Sequence, residues 1–430
     1  MELWQVCGGR RLEGECRVQG SKNASLPILA AALLCPGKVE LRNVPRLRDV
    51  EAALGILRYL GCRAEQRENR VYIDASGVSG CQIPHSLMER MRSSVIFMGA
   101  LLARCGEARL SLPGGCQLGN RPIDLHLAAL RELGAEIEEE GGEICCCPAR
   151  LRGRVITLPF PSVGATENAM LAACAAEGET LIRGAAREPE ICALQEMLRA
   201  LGAEICGAGT DTVRIIRFFP KSHVVFAVPA DRIVASTLAC ACASAGGRIR
   251  LLGCDTRQIS PVLHFLNQAG CDIIKKQDCL TLSSKGRLCA VGPVVTAPYP
   301  GFPTDAQPVL MAALLRARGE SCFRETIFEN RFRQVPELRK LGADICLDGQ
   351  QAVVHGVERL HGAVLEATDL RGGASMLLAG LGAEGITLVR DSGHITRGYE
   401  DFDRCLSSLG ADVFVRHEGE EHGFFTENAE

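Results

Sequence analysis

The sequence predicts an α/β protein of two domains, each made of three copies of one β-α-β-α-β-β unit. Three observations carry that prediction: a length of 430 residues, an octapeptide that recurs six times, and six small-residue helical stretches offset from it. One ordinary core does not extend over so long a chain, and two domains of about 200 residues are expected. The octapeptide is Leu57-Arg-Tyr-Leu-Gly-Cys-Arg-Ala64, with further copies at 130–137, 198–205, 266–273, 338–345 and 406–413. Its glycines, Gly61, Gly134, Gly202, Gly270, Gly342 and Gly410, are spaced by 73, 68, 68, 72 and 68 residues. A period this regular marks an internal repeat.

Each octapeptide reads as the last turn of an amphipathic helix, a glycine just past its end, and then a strand. The stretches 23–34, 93–104, 166–177, 234–246, 305–317 and 372–384 are small or apolar almost all round. They are expected as buried helices packed closely through Ala, Gly and Ser. Short alternating runs follow them, as at 37–42, 178–183 and 385–390, and read as strands. The boundary is expected within 218–232, giving a domain 22–229 and a second domain 1–21 plus 230–430 with the N-terminal segment returning as a strand.

Composition narrows the function classes. With 47% hydrophobic but only 4% aromatic residues, the core must be built from Ala, Leu, Ile, Val and Cys. A net charge of −3 gives no general attraction to nucleic acid or to an anionic membrane surface. The start, Met-Glu-Leu-Trp-Gln-Val-Cys, has no basic segment leading into an apolar one, so no signal peptide is expected. The apolar runs are too short and too broken by charge to span a bilayer, and a cytoplasmic protein is the expectation. The 22 cysteines contain no CxxC pair. Cys145-Cys146-Cys147 alternate faces of a strand, and Cys240 and Cys242 lie about 200° apart on a helix. No metal is therefore expected, and most cysteines are read as small buried hydrophobes in a reducing compartment.

One stretch stands apart, Leu112-Pro-Gly-Gly-Cys-Gln-Leu-Gly-Asn-Arg-Pro-Ile-Asp-Leu-His126. Gly114, Gly115 and Gly119 let the backbone bend tightly, Cys116 sits at the tip, Arg121 adds a permanent cation, and Pro122 suits a helix start. The residues allow two readings: a thiol closing over an anionic substrate, or a surface turn with an incidental cysteine.

Further segments join this loop: Gly20-Ser-Lys-Asn-Ala24, Met91-Arg-Ser-Ser94, Ser162-Val-Gly-Ala-Thr-Glu-Asn168 and Ala185-Ala-Arg-Glu-Pro-Glu190. Later come Phe302-Pro-Thr-Asp-Ala-Gln307, Glu325-Thr-Ile-Phe-Glu-Asn-Arg331, Ala367-Thr-Asp-Leu-Arg-Gly-Gly373 and Arg397-Gly-Tyr-Glu400. In this order, over nearly the whole chain, they resemble the enolpyruvyl transferases, and among them the UDP-N-acetylglucosamine 1-carboxyvinyltransferase family. The resemblance implies two inside-out α/β barrel domains with the active site in the cleft between them. It implies transfer of the enolpyruvyl group of phosphoenolpyruvate to the 3-hydroxyl of UDP-N-acetylglucosamine, the first committed step of peptidoglycan precursor synthesis. No metal, organic cofactor or obligate protein partner is implied.

Phosphoenolpyruvate carries a phosphate and a carboxylate, so its site needs several cations. Within the matching motifs these are Lys22, Arg121, Arg331, Arg371 and Arg397, with Asn23 beside them. Lys22 and Asn23 also open a helix, where free N–H groups favour anions. The resemblance makes Asp305 the base for the sugar hydroxyl. It makes Cys116 a general acid that can form an adduct with phosphoenolpyruvate and is open to epoxides of the fosfomycin type. Lys22 and Arg397 complete the implied catalytic set. For the nucleotide sugar it implies Asn23, Arg92, Arg121, Pro122, Ile123, Asp124, Leu125, Ser162, Val163, Gly164, Asp305, Ile327 and Asp369. His126 has two readings, a diphosphate contact or a histidine packed at a helix start, and the second is favoured. The sequence departs from the family at Phe160, where a lysine is usual, at 117–120, at 234–237 and over 207–226. Against 5-enolpyruvylshikimate-3-phosphate synthase stands the cysteine loop. Against a non-catalytic paralogue that binds UDP-sugar stands the retention of Cys116, Lys22, Asp305 and Arg397 together.

Overall fold

The structure is a computed structural model that describes residues 1–111, 123–147 and 150–417. The chain divides into two compact units, one of Met1–Arg17, Ile233–Thr296 and the chain from Phe302 on, the other of Val18–Arg232 and Ala297–Gly301. Among the described residues there are six four-stranded sheets, three in each unit.

The repeat is seen whole in the sheet ordered Gln82–Ile83, Ala108–Ser111, Glu143–Cys147, Glu136–Glu140. Its first two strands are parallel, joined by a helical crossover, and the remaining pairs are antiparallel. Parallel neighbours need such a crossover, whereas the last two strands close through a tight turn. The sheets beginning at Val155–Thr157 and Val294–Val295 repeat this order. The other three sheets are completed from afar. His223–Ala227 pairs in parallel with Lys38–Arg42, and Leu12–Arg17 with Gly247–Leu252. Glu2–Cys7 lies between Ile386–Asp391 and Asp412–His417, antiparallel to both. Each borrowed strand covers an edge that would otherwise expose unpaired N–H and C=O groups.

Helices Lys22–Ala31, Phe97–Cys105 and Val163–Ala173 fill the interior of one unit, and Gln307–Leu314 and Leu370–Leu381 that of the other, joined by Arg232–Ala245 from the boundary onward. Val163–Ala173 is buried without a break from Ala165, and Leu370–Leu381 from Arg371. The small residues are there because helices touch closely: a Cβ on Gly99 would stand 2.4 Å from the carbonyl oxygen of Asn168. The sheets stand outside, each with an inward face such as Ile249 and Leu251 and an outward face such as Arg248 and Arg250. Each unit is thus an inside-out α/β body.

Several helix ends differ from the sequence pattern. The stretch 166–177 forms Val163–Ala173, because Ser162 caps it a turn earlier by accepting the N–H of Ala165. The stretches 93–104 and 305–317 each open on a 3-10 turn, Arg92–Ile96 and Thr304–Ala306. All six octapeptide glycines take positive φ, from 86° to 112°, the left-handed geometry that terminates a helix without a Cβ clash.

The cysteine expectation needs correction. Only Cys35, Cys62, Cys146, Cys174, Cys240, Cys242, Cys254 and Cys271 are buried among the described residues, while Cys105, Cys206, Cys289, Cys322 and Cys346 are exposed. Cys206, Cys322 and Cys346 occupy outward positions of strands, which the alternating pattern cannot distinguish from inward ones when both carry small apolar residues. Among the described residues no helix is long and apolar enough to cross a membrane.

Candidate active site

In the unit containing the C-terminal half, two helix starts bring a charged cluster together. Thr304–Ala306 is a single turn ahead of helix Gln307–Leu314, so Asp305 stands where the chain bends. Asp369 caps helix Leu370–Leu381, accepting the N–H groups of Arg371 and Gly372 at 3.0 and 3.1 Å. From that first turn Arg371 donates to Oδ2 of Asp305, from Nη2 at 3.1 Å and from Nε at 3.3 Å. Arg331 donates from Nε and Nη2 to the carbonyl oxygen of Thr304 at 3.2 and 3.0 Å. It also lies 3.4 Å from Oδ1 of Asp305 and 3.6 Å from Oδ1 of Asp369.

Two guanidiniums against two carboxylates leave the cluster neutral, which is what makes burial of the arginines tolerable. The Arg331 and Arg371 side chains are 1% and 5% exposed, that of Asp305 30%. Asp305 is therefore the most exposed member of this group. Arg331 is engaged by a carbonyl and two carboxylates, so its geometry is that of a residue holding Asp305 in place rather than of an open anion contact. Arg371 lies over the ring of Tyr399 at 5.3 Å. Tyr399 stacks on Phe402 at 4.5 Å and shares a 3.0 Å hydrogen bond with the hydroxyl of Thr237. Arg397 ends the short turn Ile395–Arg397 just before it and is half-buried.

The sequence pointed to this segment but not to Glu325, which is 1% exposed. Its Oε1 accepts the Thr296 hydroxyl at 2.9 Å and the N–H groups of Ile327 and Phe328 at 2.8 and 3.1 Å, and its Oε2 accepts the Thr304 hydroxyl at 2.9 Å. One buried carboxylate thus fixes both the residue before Asp305 and the turn that carries Ile327. The glutamate gave no such signal in the sequence, because its two hydroxyl partners are 21 and 29 residues away.

The other unit holds the remaining described candidates. Lys22 opens helix Lys22–Ala31, and its Nζ lies 3.2 Å from Oδ2 of Asp49, the two side chains 13% and 4% exposed. The expectation of free N–H groups at this helix start is met only in part. The N–H of Lys22 donates to Asp231 at 3.0 Å, that of Ala24 to the Ser21 hydroxyl at 3.2 Å, and that of Ser25 to the Ser21 carbonyl at 2.9 Å. Protein groups thus occupy the N–H donors of Lys22 and Ala24, and the Lys22 ammonium supplies the positive charge here. Asn23 beside it is half-buried.

Ser162, Val163 and Gly164 form the start of helix Val163–Ala173, and a Cβ on Gly164 would stand 2.7 Å from Cε1 of His126. The His126 Nδ1 accepts from Nδ2 of Asn168 at 2.7 Å. That amide also donates to Val95 O, and its oxygen accepts the Gly99 N–H, so the network assigns the ring proton to Nε2. Burial lowers the ring to about 4, with nearby Asp124 opposing, and His126 is neutral at pH 7. It is a packed histidine at a helix start, with its Nε2 beside Gly164. Ile123 and Leu125 are half-buried and Asp124 is exposed at the start of helix Asp124–Glu132. Phe160 is exposed. Cys116, Arg121 and Pro122 lie outside the described residues, as does the side chain of Arg92.

A second feature of this unit was not foreseen. Glu167 is buried, and desolvation first, then Glu190 and Glu188, push its carboxyl well above the usual range. Glu190 is paired with Arg232 at 2.9 Å, and Glu188 accepts the Tyr299 N–H at 3.2 Å. Among the described residues one group has donors close enough for a metal, Asp344, Cys346 and His355, within 4.8 Å of one another; it shares no residue with these clusters.

The family model for EPSP synthase (3-phosphoshikimate 1-carboxyvinyltransferase) matches residues 6–406. UDP-N-acetylglucosamine 1-carboxyvinyltransferase 2 of Caldanaerobacter subterraneus subsp. tengcongensis is 46% identical, over 96% of this chain and 99% of its own. UDP-N-acetylglucosamine 1-carboxyvinyltransferase 1 of Symbiobacterium thermophilum is 47% identical, over 96% and 95%. The crystal structure of the enolpyruvyl transferase NikO from Streptomyces tendae superposes with a TM-score of 0.86 at 28% identity, covering 96% of this chain and 98% of that one. The chain belongs to the EPSP synthase family of enolpyruvyl transferases, among the UDP-N-acetylglucosamine 1-carboxyvinyltransferases.

Proposed function

We propose that the protein transfers the enolpyruvyl group of phosphoenolpyruvate to the 3-hydroxyl of UDP-N-acetylglucosamine, releasing phosphate and supplying peptidoglycan precursor synthesis. The observation that carries this reading is Asp305, a partly exposed carboxylate held between two buried guanidiniums, in a chain whose relatives bear that activity in their names.

Asp305 takes the proton of the 3-hydroxyl, and the oxygen attacks C2 of phosphoenolpyruvate while a proton is delivered to C3. The result is a tetrahedral ketal that still carries phosphate. Loss of a proton from the new methyl group then restores the double bond and expels phosphate, so the overall products are an enol ether and inorganic phosphate. General acid and base groups of this kind contribute about 10²–10⁴-fold each. Cys116 is the acid we assign to C3. Lys22, Asn23, Arg121, Arg371 and Arg397 hold the phosphate and carboxylate. A charge-assisted hydrogen bond contributes about 1.5–3 kcal/mol.

Arg331 positions Asp305, which accounts for its burial. For the nucleotide sugar we assign Arg92, Pro122, Ile123, Asp124, Leu125, Ser162, Val163, Gly164, Ile327 and Asp369. We assign the Cys116 loop and the uridine segment to a domain 22–229, and Asp305, Arg331, Asp369, Arg371 and Arg397 to a domain 1–21 plus 230–430. The same reading makes the protein cytoplasmic, with these two small molecules as its partners and no cofactor. Phosphate release from phosphoenolpyruvate tests it. Release is expected with UDP-N-acetylglucosamine and absent without it or with shikimate-3-phosphate. No release with any acceptor, while UDP-sugar still binds, would make the protein a non-catalytic binder.

A further inference from the structure

Among the described residues one pair of cysteine sulfurs is in contact, and the proposed reaction does not use it. Cys16 lies on strand Leu12–Arg17 and Cys405 on helix Phe402–Ser408 of the same unit. Their sulfurs are 2.8 Å apart, well inside the separation of about 3.5–4.0 Å at which even carbon atoms rest. The elements are tied together next to the pair, since the N–H of Glu13 donates to the carbonyl of Leu409 at 2.8 Å. Gly14 has no room for a side chain, as a Cβ there would stand 2.7 Å from the carbonyl oxygen of Ser408. Approach of the two thiols is therefore set by the backbone. Both are only partly buried, so a small oxidant reaches them.

We propose that Cys16 and Cys405 are a site of reversible oxidation by hydroperoxides, forming a disulfide that ties the N-terminal strand to the C-terminal helix. The two thiols are unequal. The hydrogen bond from Cys405, and beyond it that of Ser408, hold the Cys16 thiol below its ordinary value against the opposing effect of burial. Cys405 is raised, first by its bond to Cys16 and then by burial. Cys16 is accordingly the attacking thiolate. Its sulfur displaces water from hydrogen peroxide to give a sulfenic acid. The Cys405 sulfur then attacks Sγ of Cys16, loses its proton and expels a second water. Two thiols are oxidised by two electrons and one peroxide is reduced to two waters.

The site is continuous with the charged cluster. Cys405 follows Phe402 by one helical turn, and Phe402 carries Tyr399, which lies beneath Arg371. The chemistry does not depend on the proposed transfer reaction.

The test is peptide mapping of the reduced full-length protein after hydrogen peroxide, alkylation of remaining thiols and trypsin digestion without reductant. Trypsin releases 12–17 and 405–416, each with a single cysteine. The expected result is one linked species of these two peptides, lighter by two hydrogens than their sum and separated by dithiothreitol. Cys16→Ser and Cys405→Ser each abolish it, and Ser408→Ala slows its formation. Recovery of both peptides alkylated, at a peroxide dose that oxidises exposed Cys105 or Cys346, would overturn the proposal. So would Cys16 recovered as a sulfinic acid beside alkylated Cys405.

Discussion

Replacing Glu325 separates a structural carboxylate from an ordinary buried polar residue. Glu325→Ala removes the acceptor of four hydrogen bonds, from two hydroxyls and two backbone N–H groups. Each bond to a charged acceptor is worth about 1.5–3 kcal/mol. The hydroxyls recover part of this by rotating, but the N–H groups of Ile327 and Phe328 do not, and a net loss of about 3–5 kcal/mol is expected. Glu325→Gln keeps an oxygen for the three donors at Oε1. At the Oε2 position the Thr304 hydroxyl reverses and accepts from the new amide, so the loss is about 1 kcal/mol. Activity follows the same order, because the Thr304 carbonyl anchors Arg331 and Thr304 precedes Asp305. A displacement of about 1 Å at such a residue costs on the order of 10²-fold in rate. Urea unfolding and phosphate release measure the two effects. An alanine variant within about 1 kcal/mol of the parent, or glutamine and alanine variants equally impaired, would show that Glu325 does not hold this turn.

His126 makes stability depend on pH. Its folded value of about 4 lies below the ordinary 6.5, so between these the unfolded chain binds more protons and stability rises with pH. The contribution is complete above 6.5 and lost toward 4, about 3 kcal/mol in all. The unfolding free energy of the parent relative to His126→Asn should fall by that amount from pH 7 to 4, and a constant difference would contradict it. Gly164→Ala forces a Cβ to 2.7 Å from the His126 ring, costing about 1–3 kcal/mol of stability and raising KM for UDP-N-acetylglucosamine. Unchanged melting and KM would show that the helix start yields freely. An epoxide of the fosfomycin type should inactivate the protein irreversibly and add to Cys116, and Cys116→Ser should turn over slowly and resist it. Full activity of that variant would remove the thiol from the mechanism.

Legibility in the sequence followed the range of the interactions. Each octapeptide glycine announced a helix end because the need for positive φ is local, and Gly61 and Gly202 at φ 101° and 112° meet it. The inner helices announced themselves through unbroken small residues. Their starts were less legible where a 3-10 turn or a serine cap moved them, as at Arg92–Ile96 and Ser162. The borrowed strand His223–Ala227 was not foreseen, because pairing across 185 residues to Lys38–Arg42 leaves no trace in either segment. The same limit applies at the site. Lys22 was visible as a cation at a helix start, but Asp231, which takes its N–H, lies 209 residues on. Arg331 and Arg371 were visible as arginines in motifs, and only the tertiary structure shows that both are buried against Asp305.

In the proposed reaction Asp305, held by Arg331 and Arg371, serves enolpyruvyl transfer to a sugar hydroxyl. The most direct measurement is a ¹H and ³¹P NMR time course of the protein with phosphoenolpyruvate and UDP-N-acetylglucosamine, run beside Asp305→Asn. Inorganic phosphate and the vinyl protons of a 3-O-enolpyruvyl ether should grow in equal amounts, with Asp305→Asn slower by about 10²-fold or more. Phosphate without the ether, or an Asp305→Asn variant as fast as the parent, would contradict it.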